Sequence, residues 1–229
     1  MNFRGLFKWA GVCALGFALV SLVNFVISLA TNGLIAATTT APSPDRIIQM
    51  ALARGNQIAS RLDLFSYLIW IPAMAGIFGY LRERTPGRAY IGSALAGLGV
   101  VGFLATSVIG STMIGFAQGP VTDSLKERLA MLDQVAFSFQ MQALLALTVC
   151  NLLWGVALRS QAGLSKAAGN LFLAQVAMFL VANVAFIANS NLILNIGIML
   201  FNLAFIATFA TVGMLLRQAS RQEPETTLS

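Results

Sequence analysis

The sequence contains no histidine. That removes imidazole-ligated haem or zinc, any Ser–His or Cys–His pair, and the commonest general base. Charge is scarce as well. There are 14 Lys and Arg and 8 Asp and Glu in 229 residues, 10% of the chain, where a soluble domain carries roughly 25%. So few charges cannot cover a water-facing surface, and a soluble globular fold is excluded. Cysteine is limited to Cys13 and Cys150. Both sit in apolar surroundings and read as small core residues, not as a disulfide in an oxidising loop. A phosphate-binding glycine loop is also missing, because the glycine-rich run Gly92–Gly99 lies in an apolar segment and has no lysine.

What the sequence has instead is apolar length. Hydrophobic residues make up 58% of the chain and the mean hydropathy is +0.80. A bilayer core needs about 20 apolar residues per helix. Six charge-free segments meet that need: Ala10–Ala36, Leu64–Leu81, Ala89–Ala117, Val135–Leu158, Ala167–Ala188 and Asn191–Leu216. They are too long for strands and show no strict alternation, which excludes a barrel. Backbone groups in lipid must be satisfied within the segment, which favours helices. The expected fold is an all-α membrane protein, a six-transmembrane-helix bundle forming one domain over 1–217, followed by a short polar cytoplasmic tail, 218–229.

The first segment follows Arg4 and Lys8 but is far longer than the ~7–15-residue core of a signal peptide. The residues Ala10-Gly11-Val12 before Cys13 make a poor lipoprotein cleavage site, so the segment reads as a retained span. The Lys/Arg bias then sets orientation. Arg4, Lys8, Arg82, Arg84, Arg88, Arg159, Lys166, Arg217 and Arg221 fall on one side, and Arg46, Arg54, Arg61, Lys126 and Arg128 on the other. The majority side is the cytoplasm, with both termini in it. The basic residues are scattered over short loops, so no nucleic-acid partner is expected. The partners expected are the lipid bilayer and a small solute or a second membrane protein.

The longest loop, Ala37–Asp63, is expected outside. Ser43 suits an N-cap, Pro44 a first helical residue, and Asp45 the positive helix end. Ile47, Ala51, Ile58 and Leu62 then fall near one face, with Ile48 and Leu52 close by. This predicts a short amphipathic helix between spans one and two, lying on the outer membrane surface, leading into the second span, or packed over the bundle. Pro-Gly punctuates the basic turn Arg82–Arg88, whose arginines either anchor the helix ends or meet anionic headgroups. In the short turn Ala188–Asn191, Asn suits a left-handed helix end, and spans five and six must be antiparallel neighbours. Gly92, Ala96, Gly99, Thr106 and Gly110 recur at three- and four-residue steps in the third span, a packing seam for close backbone approach. Pro72 removes one backbone hydrogen bond in the second span, near Trp70.

Amides are the notable polar residues inside the spans. Asp133, Gln140 and Asn151 share one face of the fourth span, and Asn191, Asn195 and Asn202 one face of the sixth. Counting from the segment ends puts Asn24, Gln175 and Asn202 near the midplane, and Gln140, Asn183 and Asn195 nearer the outside. Asp63 and Asp133 fall at the outer rim, with Tyr67 and Trp70 on the face of Asp63. Two readings stay open. The six amides line a polar cavity that admits a small polar or cationic solute beneath two carboxylates. Alternatively they hydrogen-bond across helices and hold the bundle together, with Asp63 and Asp133 as helix-end residues, Asp133 favoured by the helix dipole. No acid pair lies at depth and no thiol stands near a base, so catalysis, a metal site and a cofactor are not expected, and a proton relay is disfavoured. Of three functions weighed, solute binding or passage leads, an accessory or scaffold subunit docking through the seam and outer helix follows, and an intramembrane enzyme is last.

The stretch Arg54-Gly55-Asn56-Gln57-Ile58-Ala59-Ser60-Arg61-Leu62-Asp63-Leu64 closes a long first outer loop and places an acid at the opening of the second span. In this, and in topology over most of the chain, the sequence resembles a family of bacterial six-helix membrane proteins of unknown function. The resemblance implies a bacterial inner-membrane location and supplies no activity. The two three-span halves have opposite orientation, as an inverted repeat would, without a sequence match between them.

Overall fold

A computed structural model describes residues 3–33 and 42–222. The end of the first apolar segment, the threonine-rich start of the loop, and the tail from 223 onward lie outside the described residues. Seven helices follow in order: α1 Phe3–Asn32, α2 Pro44–Leu52, α3 Arg54–Arg82, α4 Pro86–Ala117, α5 Asp123–Arg159, α6 Leu164–Ile187 and α7 Asn191–Gln222. All but α2 are long and apolar enough to cross a membrane, and there is no strand among the described residues. The protein is a multi-pass integral membrane protein built as a six-span helical bundle.

The six long helices close into a ring. Each packs on the next in the order α1, α3, α4, α5, α6, α7 and back to α1, and α3 also touches α7 across the ring. An even number of antiparallel crossings puts both described chain ends at one end of the bundle. The opposite end carries α2.

Every long helix overruns its apolar segment or meets a neighbouring turn within a few residues. The fourth span begins at Val135 in hydropathy, but its helix begins at Asp123, where the Thr122 side chain accepts from the Leu125 N–H at 3.2 Å. At 1.5 Å per residue α5 is about 55 Å long, against a core of about 30 Å, so its first turns stand clear of the apolar zone. There α2 packs on it. Ile47 and Ile48 are buried against Met113, Ala117 and Leu129, and Asp45 pairs with Lys126 at 2.8 Å. Ser43 caps α2 by accepting from the Arg46 N–H. The amphipathic run predicted from Ile47 to Leu62 is not one helix: Ala53, extended at φ −60° and ψ 120°, divides α2 from α3. Asn189 takes the left-handed conformation at φ 53° in the α6–α7 turn, the geometry expected for Asn there.

Small residues set how closely the walls approach. Gly92, Ala96 and Gly99 are buried. A Cβ on Gly99 would lie 2.6 Å from Leu147 Cγ, and one on Gly102 2.8 Å from Ala143 Cβ, so the seam of α4 faces α5. Gly110, predicted for the same seam, has nothing within 4 Å of such a Cβ. At the α5–α6 wall the close atoms are backbone. A Cβ on Gly169 would stand 2.5 Å from the Arg159 backbone nitrogen and 2.7 Å from the Gly155 carbonyl oxygen, and Gly155 faces the Gly169 carbonyl in return.

Candidate functional site

Near the α2 end, the Asn24 side chain on α1 meets the Asp63 side chain on α3. Asn24 Nδ2 donates to Asp63 Oδ1, and the Asn24 carbonyl oxygen is buried with no hydrogen-bond partner. Asp63 is half-buried. Along α3 it stands about 28 Å from Arg82, and along α1 Asn24 stands about 24 Å from Lys8. Both therefore lie close to the far boundary of a core about 30 Å thick. One turn further, the Tyr67 side chain lies near both Asp63 and Ser107 of α4. Asn32 and Asn56 pin the same two helices nearer their ends, Asn32 Nδ2 donating to Asn56 Oδ1 at 2.9 Å.

Below this pair the ring is filled by aromatic side chains. Tyr67 stacks on Phe103 at 5.7 Å. Trp70 stacks on Phe17 at 5.2 Å with the planes 4° apart. Phe17 meets Phe209 edge-on at 4.8 Å, Phe209 meets Phe172 at 6.3 Å, and Phe172 meets Trp154 at 5.9 Å. Each of the six spans supplies at least one ring. Edge-to-face and offset pairs at these spacings are attractive beyond their packing. Phe17, Trp70, Trp154, Phe172 and Phe209 are each no more than 2% exposed, so this aromatic layer is closely packed.

The predicted cavity amides separate into four sets. Asn24 pairs with Asp63. Gln175 is fully buried: it accepts from Asn151 Nδ2 at 3.0 Å and donates to Thr208 Oγ1 at 2.5 Å, joining α5, α6 and α7. Asn183, Asn195 and Asn202 donate to carbonyls one turn back in their own helices, those of Phe179, Asn191 and Ile198. Gln140 is exposed on α5.

The rim residues also differ from the sequence expectation. Asp63 lies nine residues into α3 and Asp133 ten into α5. Neither is a helix-end residue, and the dipole argument for Asp133 fails because that effect fades within the first turn. The polar residues ahead of each apolar run simply continue the helix. Asp63 and Asp133 are on helices separated by α4 in the ring. Tyr67 and Trp70 do follow Asp63 along one face, their rings 6.2 Å apart. The aromatic layer itself was not anticipated, although a ring-bearing residue within each apolar segment was the available signal.

Two cavities open at the bundle ends. One of about 230 Å³ is lined by Thr31, Asn32, Arg46, Gln49, Met50 and Ala53, between α1 and α2. The larger, about 380 Å³, lies at the end carrying the chain termini and includes Phe7, Tyr80, Arg84, Ser165, Gln218 and Gln222. Neither is lined by any of the six amides above.

Compared with protein-family models, with curated proteins and with solved structures, the chain matches none.

Proposed function

We propose that this is a non-catalytic protein of a bacterial cytoplasmic membrane, with both termini in the cytoplasm, that binds a small cationic solute at the Asp63–Asn24 pair. One observation carries the reading. A carboxylate within a membrane-spanning helix is hydrogen-bonded by a neutral amide, with no basic partner among the described residues, and the amide's own oxygen is buried and unsatisfied. Ionisable residues at such positions are expensive and usually serve a ligand or ion. A carboxylate beside a spare carbonyl oxygen is rich in acceptors and poor in donors, the complement of an ammonium group or a partly dehydrated alkali ion. The aromatic layer below favours binding over passage in this arrangement.

The accessory-subunit reading has less support, because α5 already covers Gly92, Ala96 and Gly99. The test is thermal unfolding of the purified protein in nanodiscs, titrated with methylammonium chloride against sodium chloride at matched ionic strength. A specific rise in the wild type that is lost in Asp63→Asn and weakened in Asn24→Ala supports the site. Equal responses in the wild type and Asp63→Asn would overturn it.

A further inference from the structure

At the end of the bundle that carries the chain termini, the 380 Å³ cavity is walled by residues of α1, α3, α6 and α7 and by the α3–α4 and α5–α6 turns. Those four helices run consecutively in the ring as α6, α7, α1 and α3, and α3 and α6 are not neighbours, so the cavity is a vestibule inside the bundle mouth rather than a groove between two helices on the lipid-facing side. Its inner wall is apolar, with Phe7, Leu164 and Leu215, and its mouth is polar, with Arg84, Gln218 and Gln222.

Arg84 is held ready. Its Nη1 donates to the Tyr80 carbonyl at 2.7 Å, and its Cζ lies 4.3 Å from the centroid of the Tyr80 ring. Tyr80 is itself fixed, buried to 8% exposure, donating its hydroxyl to Gln161 Oε1 at 2.9 Å and meeting the edge of Phe7. An arginine has five N–H donors in a planar fork, and one is used here. No carboxylate among the described residues pairs with Arg84. Glu83 lines the same cavity but leans toward Arg82, at 3.9 Å. The ordering of a long side chain, normally lost on binding, is therefore already met. Gln218 and Gln222 add neutral amide donors from α7. The surrounding end of the bundle carries the larger share of the basic residues, which raises the local concentration of anions.

We infer that this vestibule binds a phosphate-bearing anion, with Arg84 making a charge-assisted, forked contact and Gln218 and Gln222 closing over the remaining oxygens. The volume lies within the range of small-ligand pockets and exceeds what a bare phosphate fills, so the ligand is a phosphorylated small molecule or the headgroup of an anionic lipid. The site is distinct from the Asp63–Asn24 pair, on the other side of the aromatic layer, and stands or falls separately from it.

The experiment uses the full chain. In mild detergent, unfolding midpoints are followed against inorganic phosphate and against glycerol 3-phosphate, with chloride at matched ionic strength as control. In nanodiscs, retention of phosphatidylglycerol over phosphatidylcholine is read by native mass spectrometry. Arg84→Gln removes the fork while keeping side-chain bulk, Gln218→Ala removes an amide, and Arg88→Gln changes an arginine of the same turn outside the cavity. The expected result is half-saturation shifted about tenfold by Arg84→Gln, less by Gln218→Ala and not at all by Arg88→Gln. A response to the soluble phosphates identifies a soluble ligand, and selective lipid retention alone identifies a headgroup. Equal behaviour of Arg84→Gln and Arg88→Gln, with both variants folded, would overturn the site, as would the absence of any phosphate-specific effect in both arms.

Discussion

Gln175 accepts a 3.0 Å hydrogen bond from Asn151, and both side chains are out of reach of solvent. Gln175 passes the connection on to Thr208, whose hydroxyl donates to the Ala204 carbonyl at 2.6 Å. Three helices are thereby tied through one side chain. Gln175→Leu fills similar volume but strands the Asn151 amide and removes the bond that the Thr208 oxygen accepts. Interhelical bonds of this kind average about 0.6 kcal/mol and reach about 1.7. The upper part of that range is expected for Gln175→Leu, since two partners lose their bond together. Asn151→Leu with Gln175→Leu is expected to cost less than the two changes summed. Unfolding free energies of the four proteins in one detergent form the cycle that checks this.

Gly169 and Gly110 separate two kinds of helical glycine. Gly169→Ala drives a methyl group against the Arg159 backbone, where no side chain can turn aside, and a destabilisation of about 1–3 kcal/mol is expected from overpacking. Gly110→Ala meets open space and is expected to be neutral or slightly stabilising, because alanine is the better helix former. Midpoints measured side by side decide it, and equal losses would mean the α5–α6 wall relaxes freely.

The small helix α2 is held more by packing than by charge. Leu129, fully buried beneath it, is expected to cost about 2–5 kcal/mol on truncation to Ala. Lys126→Ala breaks the partly exposed pair with Asp45 and is expected to cost far less, an effect that fades with salt. Amide exchange over 44–52 provides the readout. Protection there is expected to fall steeply with Leu129→Ala and only slightly with Lys126→Ala.

Orientation is open to direct labelling. In a background with Cys13→Ala and Cys150→Ala, Asp45→Cys is expected to react with an impermeant maleimide added to intact cells, and Arg88→Cys only after the membrane is opened. The reverse pattern would turn the bundle over and place the Arg84 vestibule outside.

The six spans were legible because lipid tolerates no charge, so helices are written as gaps between Arg, Lys, Asp and Glu. The start of α2 was legible because Ser43, Pro44 and Asp45 each act on their own backbone neighbours. Helix lengths were less so: a hydropathy reading stops at Leu64 or Val135, whereas the backbone hydrogen bonds continue through Arg54–Asp63 and Asp123–Gln134 with no break in propensity. The interior was hardest to read. Facing lipid and facing a neighbouring helix select the same apolar residues, so Phe17 and Leu19 look alike although one is buried and the other 62% exposed. The amides were hard to read for a related reason. Asn183, Asn195 and Asn202 can satisfy a donor on their own helix, and need no shared cavity to do so.

The aromatic layer has an electrical consequence. With rings from every span packed between its two ends, this layer is a stretch of low dielectric. The membrane potential then falls across Trp70, Phe17, Phe209 and Phe172, and the Asp63 and Arg84 side chains lie on either flank of the steepest field. A charge brought to either mouth would then cross little of the membrane potential on its way there.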